Sequence, residues 1–251
     1  MNTVVKGDFI VEKRATETHT VVSRDEWLDA RTQLLSKEKE FTRLRDQLSR
    51  QRRDLPWVRV EKDYVFEGPH GPQTLPELFA GKSQLIVYHF MFDPRDDEGC
   101  PSCSFWADNF DGIDVHLNQR DVSFVAISRA PFSQIETFKQ RMGWSFTWVS
   151  SFGTDFNYDF DVSFTPEQLA NGEAYYNYRP GNPGMPDREG ISVFYQDQNG
   201  DVFHTYSAYA RGIDMVNGAY QFLDMAPKGR DEAGHDNPQY WVRHHDKYDG
   251  Q

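Results

Sequence analysis

Apolar residues recur at about every seventh position along a highly charged segment near the start of the chain. Within residues 23–54 they are Trp27, Leu34, Phe41, Leu44 and Leu48. This spacing places them on one stripe of a helix. Ser23 is a typical N-cap, and Pro56 disfavours helical geometry in the residue before it. The pattern predicts an N-terminal helical arm, residues 1–56, whose stripe packs on its own core or on the same helix of a second copy in a homodimer.

The pattern then changes to runs that are typical of strands alternating with a helix. Residues 85–92 are almost continuously apolar, as in a strand buried on both faces. Apolar positions recur at spacings of four, three and four after Trp106, as far as Leu117, which predicts a helix bent near Gly112. Residues 122–128 form the next apolar run. Strand, helix and strand in so short a span predict a parallel βαβ unit.

The second half of the chain predicts a helix, an insertion, a β-hairpin and a last helix, in that order. Ser133 begins a capping-box pattern, and Gly143 ends the helix that follows it. An aromatic and serine-rich stretch, residues 144–178, predicts an insertion built of loops. The hairpin turns at residues 199–200, and the closing helix covers residues 213–223.

Composition excludes several kinds of partner. The chain has 251 residues and a formal net charge of -12. A chain of this length folds as one large domain or as one domain with appendages. Its negative charge disfavours binding to nucleic acid and to anionic membranes. The first residues lack the apolar segment of a signal peptide, and no later window is apolar enough to span a membrane. We therefore expect a cytoplasmic protein.

The only two cysteines, Cys100 and Cys103, are three positions apart, where the first strand of the βαβ unit leads into its helix. In a reducing compartment such a pair is more often redox-active or metal-binding than a structural disulfide. Free N–H groups and the helix dipole stabilise a thiolate at Cys100, the predicted nucleophile. Cys103, one turn further along, is placed to attack the mixed disulfide. Pro101 suits the first helical position.

Two other uses of the cysteines stay open. A metal site would need two more ligands, and His244, His245 and Asp246 are the clearest candidates. Structural zinc sites usually have a second spaced ligand pair, so we expect neither a metal site nor stoichiometric zinc. The triplet is more typical of a polar C-terminal tail, residues 228–251. The cysteine pair can also be inert in a domain that binds a partner, because a fold does not establish an activity.

The order of these elements resembles the thioredoxin fold, in which two βα-linked halves share one mixed sheet. The chain also resembles a bacterial thioredoxin-like family, domain of unknown function 899, in the stretches WLDARTQLLSKEKEFTR, YHFMF, GCPSCSFWADN, SRAP, RMGW, FNYDF, HTYSAYARG and HHDKY. They span nearly the whole chain. The resemblance implies an α/β, thioredoxin-like fold, a central mixed sheet flanked by helices, over residues 57–227. Gly190 stands where thioredoxins carry a cis-proline.

Three further residues are candidates for supporting the chemistry. His89 lies near the place where thioredoxins bury a carboxylate that takes a proton from the second cysteine, and an imidazole can accept that proton. A hydrogen-bonded core histidine fits the sequence as well. Arg129, after the second strand, and Arg211, before the last helix, either supply positive charge near a thiolate or form ion pairs elsewhere. The acidic loop 93–98 is expected to raise the pKa of the thiols.

Together these features predict a dithiol-disulfide oxidoreductase that needs no bound cofactor. Electrons would pass from a thiol donor through Cys100 and Cys103 to a protein disulfide, a small disulfide or a peroxide. The peroxide is disfavoured because the Pro-x-x-x-Thr-x-x-Cys pattern of peroxiredoxins is absent ahead of Cys100. The alternative is a thioredoxin-fold interaction module with inert cysteines, whose aromatic insertion binds a partner.

Overall fold

The computed structural model of the protein describes residues 15–16 and 19–249, and the chain divides into two units between Leu55 and Pro56. The described part of the first unit contains two short antiparallel strands and one long helix. They are β1 (Ala15–Thr16), β2 (His19–Thr20) and α1 (Arg24–Arg53).

Helix α1 begins at the predicted cap. The Glu26 N–H donates to Ser23 Oγ (3.3 Å), and the Ser23 N–H donates to Glu26 Oε2 (3.0 Å), which completes a capping box. No residue of α1 is buried, and Phe41 in the apolar stripe is 66% exposed. The apolar side chains of the stripe are therefore exposed. None of the described helices is long and apolar enough to cross a membrane.

The described part of the second unit contains ten strands and six α-helices. The strands are β3 (Val58–Arg59), β4 (Val65–Gly68), β5 (Gly71–Thr74), β6 (Gln84–His89), β7 (Val122–Ser128), β8 (Thr147–Ser150), β9 (Ala174–Tyr176), β10 (Arg179–Gly181), β11 (Gly190–Gln196) and β12 (Val202–Tyr209). The helices are α2 (Pro101–Ala107), α3 (Asp114–Leu117), α4 (Phe132–Met142), α5 (Phe156–Asp159), α6 (Pro166–Asn171) and α7 (Gly218–Leu223).

Eight strands form one mixed sheet in the order β3-β12-β11-β6-β7-β8-β4-β5. Strands β6, β7 and β8 are parallel, β11 pairs antiparallel with β6, and β12 pairs antiparallel with β11. The chain builds the sheet as a βαβ unit, β6-α2-β7, and returns as a hairpin followed by a helix, β11-β12-α7. This arrangement confirms the predicted α/β, thioredoxin-like fold with a central mixed sheet flanked by helices.

Strand β6 is buried on both faces and separates two cores. Tyr88 packs with Cys103 on the face that carries α2, which we name the cysteine-side core. Leu85 and Val87 pack with Phe156 on the opposite face, which we name the far-side core. Because successive residues of a strand point to opposite faces, neighbouring residues of β6 belong to different cores.

Part of the predicted insertion, residues 144–178, belongs to the sheet. Residues 147–150 form β8, which pairs in parallel with β7. Trp148 lies in the cysteine-side core and Val149 in the far-side core. The prediction of loops was wrong here because aromatic residues also suit a strand that is buried on both faces. The rest of the stretch holds α5, α6 and the hairpin of β9 and β10.

Three helices differ from their predictions. The closing helix, predicted over residues 213–223, is a 3-10 helix, Ala210–Val216, followed by α7. Pro131 is the N-cap residue of α4, so Ser133 lies inside the first turn and makes no cap. Gly143 ends α4 in the left-handed conformation (φ 68°), as predicted. The predicted bent helix over residues 106–117 is divided into α2 and α3 by a turn that contains Gly112 (φ 78°).

The C-terminal residues pack against the rest of the second unit. Val242 is 5% exposed and His244 is 1% exposed. Trp241 packs against the cysteine-side core. The tail predicted over residues 228–251 therefore includes buried side chains in this part.

Candidate active site

The two cysteines lie at the start of α2, beside the end of β6. Cys100 is the N-cap residue, and its carbonyl accepts the first helical bond from the Ser104 N–H (2.9 Å). Pro101 occupies the first helical position, as predicted. The Cys100 N–H donates to the Met91 carbonyl (3.1 Å). This bond ties the chain that leaves β6 to the start of the helix.

The two sulfurs have contrasting environments. Both cysteines are free thiols and lie 4.1 Å apart. Cys100 is partly exposed, whereas Cys103 is 1% exposed and accepts a bond from the Met91 N–H (3.4 Å). A hydrogen bond from the Cys103 thiol, helped by the N–H groups of Cys103 and Ser102, lowers the pKa of Cys100 to about 7 despite its burial. Burial raises the pKa of Cys103 well above that of a free thiol.

Cys100 opens into a cleft of about 510 Å³. The residues that line the cleft are Met91, Asp93, Arg95, Asp96, Cys100, Met185, Pro186 and Asp187. They combine apolar side chains with charged ones, and Cys103 is not among them. A substrate can therefore reach the Cys100 sulfur, while the Cys103 sulfur lies behind it.

Arg129 joins two loops that line the cleft. Its guanidinium donates to both carboxylate oxygens of Asp187 (2.8 and 3.1 Å) and to Asp93 (2.6 Å). It also donates to the Tyr158 hydroxyl (3.0 Å). All three charged side chains are less than one-sixth exposed, so removing Arg129 would leave Asp187 buried without the cation that it pairs with. The structure therefore gives Arg129 an ion-pair role.

Two carboxylates of the acidic loop 93–98 are held in ion pairs. Glu98 accepts bonds from Lys247 (2.8 Å) and Arg141 (2.7 Å), and these cations lower its pKa to about 2. Asp93 is held in the ion pairs with Arg129 described above. The carboxylate whose negative charge raises the pKa of both cysteines is Glu189, which comes from a different part of the chain.

His89 lies on the opposite side of the sheet from Cys103. Its ring packs against Phe156 and Phe160, with centroid distances of 5.7 and 6.2 Å, and its Nε2 is bonded to Ser192 Oγ (2.8 Å). Burial lowers the pKa of His89 to about 3. The structure thus contradicts a proton transfer from Cys103 to His89, because the parity of β6 directs this side chain into the far-side core.

Arg211 and Gly190 have structural roles. Arg211 is 87% exposed, pairs with Asp214 (3.3 Å) and does not line the cleft, so the structure does not bring it to the cysteines. A Cβ atom at Gly190 would lie 2.7 Å from the Tyr209 ring. Only glycine allows β11 to begin so close to that ring.

The segment 244–247, which we name the C-terminal strap, contacts the region around Cys100. Its contacts are His244 Nε2 to the Gly99 carbonyl (2.8 Å), His245 Nδ1 to Asp108 (2.8 Å), Asp246 to Arg141 (2.8 Å) and Lys247 to Glu98 (2.8 Å). Among the described residues, no group of three or more His, Cys, Asp or Glu side chains is arranged to hold a metal. The histidines and Asp246 are thus engaged with protein groups.

Comparison with known proteins identifies the family. A family model described as a bacterial protein of unknown function (DUF899) matches residues 16–248. The chain belongs to this family. Among curated protein sequences, none matches this DUF899 chain.

Several solved structures resemble the DUF899 chain at low identity. Peroxidoxin BcpB from Mycobacterium tuberculosis is 15% identical over 64% of this chain and 93% of its own, with a TM-score of 0.44. Peroxiredoxin Q from Xanthomonas campestris is 14% identical over 64% of this chain and 89% of its own, with a TM-score of 0.42. A hypothetical protein from Sinorhizobium meliloti is 14% identical over 68% and 82%, with a TM-score of 0.39. Similarity at this level does not establish chemistry, which depends on the residues of the site.

Sequence reasoning missed Glu189, a partly buried carboxyl group of the DUF899 chain directly before β11. The Tyr176 hydroxyl donates to its main-chain carbonyl (2.9 Å) and lies 3.3 Å from its Oε1. Burial raises the pKa of Glu189 above its ordinary value. The available signal was an acidic residue placed immediately ahead of the strand that pairs with β6.

Proposed function

We propose that this DUF899 chain is a dithiol-disulfide oxidoreductase, in which Cys100 attacks a substrate disulfide and Cys103 resolves the product. The observation that carries the proposal is the contrast between the two sulfurs. One opens into a cleft with a lowered pKa, and the other lies buried behind it with a raised pKa. No bound cofactor takes part.

Cys100 has the properties of an attacking thiol. The thiolate is the nucleophile, and an attacking thiol works best when its pKa is near the ambient pH. With a pKa of about 7, a large fraction of Cys100 is ionised at neutral pH. The cleft gives a disulfide access to the sulfur.

Cys103 has the properties of a resolving thiol. Its burial, its hydrogen bond to Cys100 and the negative charge of Cys100 all keep it protonated in the reduced protein. Once Cys100 is bonded to a substrate sulfur, it no longer carries that charge. The pKa of Cys103 then falls at the moment when its thiolate is needed.

The reaction balances without a further reactant. The Cys100 thiolate breaks the substrate disulfide, forms a mixed disulfide and releases the first substrate thiolate, which takes up a proton. The Cys103 thiolate then breaks the mixed disulfide, forms a Cys100–Cys103 disulfide and releases the second substrate thiol. Two electrons and two protons pass from the protein dithiol to the substrate, and a thiol donor returns the protein to the reduced form.

Trapping the mixed disulfide tests this proposal. The Cys103→Ser variant, mixed with hydroxyethyl disulfide, should hold one mercaptoethanol adduct on Cys100, because no thiol is left to resolve it. The Cys100→Ser variant should hold none. The wild-type protein should instead lose two hydrogen atoms and form its internal disulfide. Intact-protein mass spectrometry distinguishes the three products.

The other functions predict different results. An interaction module with inert cysteines would give no adduct in any variant and no reversible couple in thiol-disulfide buffers. A peroxidase would oxidise Cys100 much faster with hydrogen peroxide than with the disulfide, so the same samples treated with peroxide separate that reaction. Either result would reject the proposal.

A further inference from the structure

The register of the sheet brings Glu189 to the end of β6, where the chain contacts the resolving cysteine. Gly190 is paired with His89 in the antiparallel ladder between β11 and β6. One step further along this register, Glu189 comes opposite Phe90. Met91, the next residue, donates its N–H to the Cys103 sulfur (3.4 Å).

The parity of β11 directs the Glu189 side chain to the same face as Cys103. Ile191 packs against the cysteine-side core. Residues two apart in an extended strand share a face, so Glu189 points to that side as well. His89, paired with Gly190, points to the far-side core, which confirms the parity at this end of the strand.

The surroundings of Glu189 hold its carboxyl group in place and favour proton exchange. Tyr176 contacts both its carbonyl and its carboxylate, and the Ala210 N–H fixes the tyrosine hydroxyl (3.0 Å). Burial raises the pKa of Glu189, opposed by Arg188 and supported by Asp214. A carboxylate with a raised pKa is a stronger base, so the difference between its pKa and that of a thiol is smaller.

We propose that Glu189 is the base that accepts the proton of Cys103 when the mixed disulfide is resolved, an inference that rests on the proposed oxidoreductase function. The Cys103 S–H bond breaks as the proton moves to the Glu189 carboxylate. The resulting thiolate attacks the Cys100 sulfur and expels the substrate thiolate. That leaving group takes the proton back from Glu189 or from water, so charge and protons balance.

A two-phase reaction with dithiodipyridine, a neutral aromatic disulfide, tests the assignment. Cys100 releases the first thiopyridone as the mixed disulfide forms, and Cys103 releases the second as it resolves. Glu189→Gln should slow the second phase by about 100-fold, the lower range for a general base. The first phase should be unchanged or faster, because removing the charge lowers the pKa of Cys100. Glu167→Gln, at an exposed glutamate, is the matched control and should behave as wild type.

The pH profile separates a base from a residue that only supports the fold. In the wild type, the second phase should rise as Glu189 ionises, through a pKa above its ordinary value. This rise of the second-phase rate with pH should disappear in Glu189→Gln. It should reappear in Glu189→Asp, with a lower maximal rate. A second phase of wild-type rate in Glu189→Gln, or equal slowing of both phases, would overturn the inference. The absence of a first phase in the wild type would instead reject the proposed function.

Discussion

At the scale of single residues, the thiol of Cys103 affects the reactivity of Cys100 before any substrate arrives. Its hydrogen bond is the largest cause of the lowered pKa of Cys100. Cys103 can donate this bond because burial and the charge of Cys100 keep it protonated. The attacking and resolving thiols are thus coupled in the reduced state, and changing one changes the other.

Substitutions of Cys103 should therefore differ in their effect on Cys100. In Cys103→Ser the hydroxyl can still donate, so the alkylation rate of Cys100 should rise with pH around the wild-type pKa of about 7. Cys103→Ala has no donor, so this rise should shift to higher pH and alkylation at neutral pH should slow several-fold. Iodoacetamide labelling followed by mass spectrometry measures both profiles. Identical profiles for the two variants would show that the hydrogen bond does not set the pKa.

The sequence located Cys100 and Cys103 because their spacing and their place before a helix are local signals. It did not predict on which face of the sheet the His89 side chain lies, since a shift of one residue along a strand moves a side chain from one core to the other. It missed Glu189 because this residue approaches the cysteines only through the pairing of β11 with β6, which are about a hundred residues apart. Chemistry that depends on long-range register is not visible in a local motif.

At the scale of elements, the C-terminal strap supports the loop that leads to Cys100. The strap residue His244 is 1% exposed and donates to the Gly99 carbonyl. Gly99 itself has no room for a side chain, since a Cβ atom there would lie 2.6 Å from the Phe90 ring. The position of the Cys100 backbone therefore depends on Phe90, directly after β6, and on the C-terminal strap.

Removing the buried strap histidine should destabilise the protein. His244→Ala leaves the Gly99 carbonyl without its partner and should lower the free energy of unfolding by about 1–3 kcal/mol. The neighbouring His245, with a side chain 42% exposed, provides the matched control, and His245→Ala should cost well under 1 kcal/mol. Urea unfolding gives both values. Equal losses of unfolding free energy in the two variants would mean that the hydrogen bond from His244 to Gly99 stabilises the protein no more than the exposed contact of His245.

Some elements were predictable and others were not, for physical reasons. The Ser23 cap and the Gly143 stop were found because capping depends on a few neighbouring residues. Strand β8 was missed because it is only four residues long and lies in a serine-rich stretch that resembles a loop sequence. The strap was missed because its packing partners, such as Gly99, are more than a hundred residues away.

At the scale of the whole molecule, the order of elements was enough to predict one central mixed sheet, but not every strand in it. A βαβ unit followed by a hairpin and a helix has few ways to form one mixed sheet, because crossovers are right-handed and hairpin strands pair with each other. The chain divides into two units between Leu55 and Pro56. What covers helix α1 does not follow from the fold of either unit.

We expect α1 to pair with the same helix of a second copy. Large apolar side chains at Trp27, Leu34, Phe41 and Leu48 repeat every seven residues, and each is at least 44% exposed. A seven-residue repeat keeps one seam facing a partner helix. Burying these side chains between two copies removes apolar surface from water, which stabilises the dimer.

Charges placed in the seam should separate the copies. The double variant Leu34→Glu, Phe41→Glu puts like charges where two apolar stripes would meet, so its mass by light scattering should fall from that of a dimer to that of a monomer. The control, Thr32→Glu with Ser36→Glu, adds the same charge to the opposite face of α1, where both residues are exposed, and should remain dimeric. Both variants should keep the two-phase reaction of the cysteines, because the second unit contains the complete site. A wild-type protein with the mass of a single chain would show that α1 has a different partner.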